Sequence, residues 1–376
     1  MKKIFNIISI LTTAGIVFWI GINASDLIDS VIDMSEPLEL YLLHILMILV
    51  FFYAAIYLHL ILHEGGHLVF GLAGGYRFVS FRILNYALIR QNGVIRKKKY
   101  SVAGTAGQCL MAPPRDRTAL FPFVIYNLGG VTMNLLTAAL CWFLFRHTSV
   151  NMLRAFFLMM IFAGILLALS NGVPLSTSTV NNDGWNAVSG CINLNARRAF
   201  NDVLEINALQ SDNIRYKDMD PSLFWMPEEK DRQNTLCAIM VLMCESRMMD
   251  EHRFEETEIL IRELLAGGYA LPQLYYPLLK CDLVYIDILY QKNPDEPRTV
   301  MAGRKTKKIL QTMATAPSVL RTNYSYEKYV LHSDVSHILA AYEKSRTVYP
   351  YLGEFESEDE LIALLDQTLA PAPPSE

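Results

Sequence analysis

The first half of the chain alternates long uncharged stretches with short polar ones, and the second half changes to a densely charged pattern with helical spacing. Four apolar runs are long enough to span a bilayer: Ile4 to Ile22, Leu40 to Leu62, Ala119 to Phe145 and Ala155 to Val173. Lys2 and Lys3 precede the first run, which exceeds the usual apolar part of a cleaved signal peptide. It reads as an anchor with its N-terminus in the cytoplasm, a cleaved signal being the alternative. The loop that follows, with Asp26, Asp29, Asp33, Glu36 and Glu39, is expected outside, and the second run then returns inward.

Between the second and third runs the spacing turns from helical to extended. The stretch Arg77 to Tyr100 is rich in Val, Ile, Phe and Tyr, and Asn92-Gly93 is a strong turn signal. It predicts a β-hairpin of Ala87 to Gln91 and Val94 to Lys98 at the cytoplasmic face, anchored by Arg96, Lys97, Lys98 and Lys99. Ser101 to Pro114, with Gly104, Gly107 and Pro113-Pro114, is read as a loop dipping beside the functional site. The fourth run is interrupted by Asn171-Gly172-Val173-Pro174, so its inner end should unwind, which membrane proteins tolerate where the freed backbone lines a site.

From Trp185 onward, charges and loop signals at Asp220-Pro221, Gly267-Gly268 and Asn293-Pro294 mark a soluble helical region. Asn234 to Met248 and His252 to Leu265 are expected as an antiparallel pair, with Leu271 to Tyr290 as the next helix. Their spacing suits either a tetratricopeptide-like repeat or an irregular bundle. The fold class is therefore mostly α: a polytopic helical membrane domain with a small β-hairpin, followed by an α-helical soluble domain. Expected boundaries are 1–37 for the anchor and external loop, 38–190 for the membrane core, 191–369 for the cytoplasmic helical domain and 370–376 for a disordered tail.

Composition agrees with this division, since 52% of the residues are hydrophobic and the net charge is −4. The basic residues from Arg77 to Arg117 flank membrane runs rather than forming a separate basic domain, which argues against nucleic acid as a partner. Six cysteines without a CxxC pair point to free thiols rather than a disulfide framework or a second zinc site.

Candidate chemistry is concentrated at His63-Glu64-Gly65-Gly66-His67, at the end of the second run. On a helix the two imidazoles lie one turn apart on one face and can share a metal ion, while the adjacent glutamate can handle the proton of a water; this is the pattern of a zinc hydrolase. A catalytic zinc takes three protein ligands and keeps a fourth position open. Asp183, in Asn181-Asn182-Asp183-Gly184, follows the broken fourth run and returns by topology to the same side of the membrane. By itself that tetrapeptide also fits a simple turn. His59, one turn before His63, is the rival third ligand, or else a polar residue lining a water path or a snorkelling side chain.

Three stretches together resemble the site-2 protease family of intramembrane zinc metalloproteases: the H-E-x-x-H of residues 63 to 67, Gly130-Val131-Thr132-Met133-Asn134, and Asn171-Gly172-Val173-Pro174 with Asp183-Gly184. They occur in the family's order over about residues 38 to 190; Val131 stands where the family has proline, and the gap from Asn171 to Asp183 is longer than usual. The resemblance implies zinc held by His63, His67 and Asp183, Glu64 as the catalytic base, and Asn134 and Asn171 as holders of the water, the oxyanion or the substrate backbone. It implies peptide-bond hydrolysis in or beside a transmembrane segment of another protein or peptide, in a multi-pass cell-membrane protein whose N-terminus and helical domain are cytoplasmic. The lipid bilayer is then an obligatory partner, and the helical domain is expected to recruit a cytoplasmic protein or regulate. The rival readings are an inactive metal-binding scaffold and a membrane metal transporter, which usually calls for more intramembrane ligands.

Overall fold

The structure is a computed structural model that describes residues 37–100, 105–176, 181–293 and 295–370, with scattered positions among the first 36. The expected first span, the acidic loop and the C-terminal tail from 371 lie largely outside the described residues. The chain divides into two compact units, Met1–Ile83 with Ala106–Arg197, and Leu84–Thr105 with Arg198–Glu376.

The first unit is built on three helices long and apolar enough to cross a membrane: α1 (Leu38–Ala73), α2 (Leu120–His147) and α3 (Asn151–Gly172). This is a multi-pass membrane architecture. Leu42, Leu43, Leu46, Leu49 and Val50 of α1 are exposed. Facing water, each would forgo about 1.5–3 kcal/mol of burial, so this belt belongs in lipid. At ~1.5 Å per residue, a helix entering the bilayer at Leu38 carries His63 about 38 Å onward, past the ~30 Å hydrocarbon core. Ala55, Cys141, Phe145, Leu158 and Ala163 fill the contact among the three helices. At the opposite end, Gly66 of α1 and Gly129 of α2 cross so closely that a Cβ on Gly129 would lie 2.7 Å from the Gly66 carbonyl oxygen.

Four strands form a small antiparallel sheet: β1 (Arg77–Ile83), β2 (Tyr86–Gln91), β3 (Val94–Lys99) and β4 (Gly107–Ala112). β2 and β3 make the expected hairpin, with Gln91 opposite Val94, and Asn92 (φ 49°) and Gly93 (φ 80°) take the paired left-handed conformations of its tight turn. In the first unit, β1 pairs with β4, Phe81 opposite Cys109. β4 corrects the reading of Ser101 to Pro114 as a loop. Its Cys109-Leu110-Met111-Ala112 run is a short buried strand, with Gly107 at its start and Pro113-Pro114 just beyond its end.

The second unit is helical after α4 (Asp183–Ile192) and α5 (Leu194–Ser211), the latter crossing the unit boundary. α6 (Thr235–Asp250), α7 (Phe254–Leu265) and α8 (Tyr275–Tyr290) share a core of Ala238, Val241, Ile261, Leu264, Leu279 and Leu283. α9 (Asp295–Ala302), α10 (Arg304–Thr312), α11 (Pro317–Tyr329), α12 (Ser336–Val348) and α13 (Leu352–Thr368) complete it. The hairpin belongs to this unit: Gln91 donates to the Pro350 carbonyl at 2.9 Å, and the Asn92 amide donates to Asp212 at 2.7 Å. All six cysteines are free thiols, and Cys191 alone among them is exposed.

Candidate metal centre

Helical spacing on α1 sets His63 and His67 one turn apart, with their rings edge to face and centroids 4.8 Å apart. Their Nε2 atoms are 3.2 Å from each other. Asp183 arrives from the other end of the unit. α3 ends at Gly172, as the Asn171-Gly172-Val173-Pro174 break predicts, and Val173 is already extended. Asn182 then clasps the returning chain: its Nδ2 donates to the Ser170 and Val173 carbonyls at 2.8 and 2.7 Å, and its Oδ1 accepts from the Leu175 and Trp185 amides, both at 2.9 Å. One side chain thus satisfies loose carbonyls at the end of α3 and caps the start of α4. The next residue, Asp183, is delivered with Oδ2 at 3.0 Å from His63 Nε2 and 3.4 Å from His67 Nε2.

These three atoms are the described residues' one group of His, Cys, Asp or Glu with metal-ligand spacing. Their separations match the roughly 3.3 Å edge of a tetrahedron whose bonds are about 2.0–2.1 Å long. Asp183 Oδ2 is buried yet has no well-aligned hydrogen bond, as expected of an oxygen aimed at an ion rather than at a donor. Burial pushes the Asp183 carboxyl up, but His67 and His63 outweigh it and hold it well below the usual carboxylate range. The donor set, two imidazoles and one carboxylate, suits zinc.

The backs of the two imidazoles are also held. His67 Nδ1 donates to the Tyr126 carbonyl at 2.8 Å, which leaves the lone pair on Nε2, facing Asp183. His63 Nδ1 lies 3.2 Å from Asn134 Nδ2, and Asn134 Oδ1 lies 3.1 Å from His59 Nδ1; His59 Nε2 lies 2.9 Å from the Met160 carbonyl. A carbonyl accepts only, so a neutral His59 must carry its proton on Nε2 and accept at Nδ1. Asn134 must then turn its NH2 toward His59 and its oxygen toward His63, which donates from Nδ1 and keeps its own Nε2 lone pair for the cluster. The opposite amide orientation sets the His59 Nε2 lone pair against the Met160 oxygen. The proton accounting therefore runs in one direction, from Met160 through His59 and Asn134 to His63.

Glu64 is 7% exposed and within electrostatic reach of His67, His63, Asp183 and Arg82. β4 runs past it, and a Cβ at Gly107 would lie 2.5 Å from Glu64 Oε1. The ring of His63 is seated on Gly130, and that of His59 on Gly164, with no room for a methyl group at either. Of the residues singled out in the sequence, His63, Glu64, His67 and Asp183 converge. Asn134 is fully buried between the two imidazoles, and Asn171 donates back to Leu167 of its own helix at 3.0 Å. His59 is also fully buried, with both ring nitrogens engaged outside the cluster, so it neither completes the cluster nor lines a water path. Arg82, 1% exposed on β1 and donating to the Gly107 carbonyl at 3.5 Å, escaped the sequence reading. Its signal was a second arginine among Phe78, Val79, Phe81 and Ile83 of β1.

No family model, curated protein or solved structure matches this chain. The geometry establishes a buried His-His-Asp cluster beside apolar helices, a candidate metal-binding site in a multi-span membrane protein.

Proposed function

We propose that the chain is an intramembrane zinc metalloendopeptidase of the site-2 protease type. The observation that carries this reading is the convergence of His63 Nε2, His67 Nε2 and Asp183 Oδ2 at tetrahedral spacing beside the carboxyl of Glu64. Zinc held by these three residues would supply a Lewis acid for a carbonyl and lower the pKa of a water to about 7. Glu64 takes the proton of the attacking water and returns it to the leaving amine, as the glutamate of an H-E-x-x-H helix does. Arg82 lies close enough to steady the Glu64 carboxylate.

A helical substrate cannot be cut while its carbonyls are bonded within the helix, so the segment entering the site must be extended. β4, at one end of the sheet with Gly107 against Glu64, offers a strand along which such a segment can align. Of the two asparagines, Asn171 is assigned to the substrate or its oxyanion and Asn134 to the imidazole chain. The positive-inside pattern puts the N-terminus and the helical region in the cytoplasm, where the latter recruits or regulates.

The test is Glu64→Gln in purified full-length protein, read by zinc content and by cleavage of transmembrane reporter peptides in proteoliposomes. Zinc should stay bound while turnover falls at least ~100-fold. Undiminished turnover, or native protein that purifies and reloads without zinc, would refute the assignment.

A further inference from the structure

The helical unit contains a cavity of about 320 Å³ between α6, α8, α11 and α13. Leu242, Leu279 and Leu361 give it apolar walls. Its polar lining is unbalanced: five carboxyl groups, Glu245, Asp250, Asp282, Glu354 and Glu358, face two guanidinium groups, Arg215 and Arg321, and burial raises Glu354 and Glu358 to about 7. Both arginines are already ion-paired, although the Nε of Arg321 has no hydrogen-bond partner. Arg215 pairs with Asp250 and Glu360, and Arg321 pairs with Asp282 and, at 3.2 Å, with Glu358. Glu354 accepts from Gln210 at 3.0 Å and from the Tyr349 hydroxyl at 2.7 Å.

Glu245 is 3% exposed, its Oε1 has no hydrogen-bond partner, and its Oε2 is met by the Ser246 hydroxyl at 3.5 Å. Glu358 Oε2 also lacks an aligned hydrogen bond but keeps Arg321 at 3.2 Å, whereas Glu245 has no ion pair. A buried carboxylate oxygen without a donor is costly unless something supplies one. An anion is disfavoured by the acidic lining, both arginines being paired within it, and an apolar ligand would leave Glu245 as it is. A metal ion is disfavoured because these carboxylates do not converge at ligand spacing, the described residues' one such group being His63, His67 and Asp183.

We propose that this cavity binds a small organic cation, an ammonium or guanidinium group on a short aliphatic stem, with Glu245 as its counter-ion. The leucines receive the stem, and the charged head makes the charge-assisted hydrogen bond that Glu245 lacks. The group can come from a free amine or from a Lys or Arg side chain of a peptide, and this site is independent of the proposed peptidase chemistry.

The experiment is calorimetric titration of the full chain in detergent micelles with agmatine, with acetyl-Ala-Arg-Ala-amide, and with glutarate as an anion of similar size. At least one cation should bind and glutarate should not; agmatine alone binding identifies a free amine, the peptide alone a side chain. Glu245→Gln should weaken binding about tenfold or more. Ser357→Lys, on the cavity wall, should abolish binding by placing the chain's own ammonium inside and should raise the melting temperature. Failure of both cations to bind at millimolar concentration, or equal affinity in Glu245→Gln, would overturn the proposal and leave Glu245 as a neutral buried acid.

Discussion

With zinc in the cluster, as proposed, removing His59 should weaken its binding although His59 does not touch the cluster. In the native chain the Met160 carbonyl fixes the proton of His59, and His59 fixes which way the Asn134 amide turns. The wrong orientation leaves two buried acceptors facing each other, a penalty of about 1–3 kcal/mol. In His59→Leu that bias disappears. Asn134 can then donate to His63 Nδ1, which moves the His63 proton to Nε2, where it blocks the metal. A loss of this size corresponds to about 10–100-fold in affinity, the range typical of groups that orient a metal-bound histidine. Zinc affinity of the full-length protein, measured by competition with a chromophoric chelator, reads this directly and does not need a substrate. Asn134→Leu should lose at least as much. Because the two residues act in series, the double variant should lose little more than Asn134→Leu alone. Unchanged affinity in His59→Leu, or fully additive losses in the double variant, would refute the proton accounting.

Gly130→Ala places a Cβ 2.5–2.6 Å from the His63 ring and should abolish the proposed zinc binding, whereas Gly65→Ala, with open space around it, should leave it intact; metal content of the two purified variants decides. In the helical region, burial lifts the Glu354 carboxyl to about 7, the Tyr349 and Gln210 hydrogen bonds offsetting this only in part. The proton that the folded chain retains is already lost by the unfolded chain above about pH 4.3, so its contribution is complete below that pH and is lost as pH rises toward 7. Glu354→Gln should therefore gain thermal stability relative to the native protein between pH 5 and pH 8; a constant difference in melting temperature across that range would contradict this.

Covalent spacing and hydrophobic pattern were enough for the features that are local. The apolar runs of α1 to α3, the Asn92-Gly93 hairpin and the shared face of His63 and His67 follow from periods of 3.6 and 2 and from which residues tolerate a tight turn. The break at Asn171-Gly172-Val173-Pro174 was legible for the same reason, since proline and glycine act on the backbone next to them. The third member of the cluster was not decidable in this way. Asp183 reads as part of a turn until the clasp made by Asn182 is seen, and the choice between Asp183 and His59 depends on where α3 returns the chain. Tertiary structure alone decided that His59 points away from the cluster, because its partners Asn134 and Met160 lie on two other helices. It also decided that Cys109 to Ala112 is a strand beside Glu64, since four apolar residues between glycine and proline have no periodicity of their own and become β only by pairing with β1. The cavity around Glu245 left no trace in the pattern, because its acidic groups come from three helices, α6, α8 and α13, and meet only once those helices have packed.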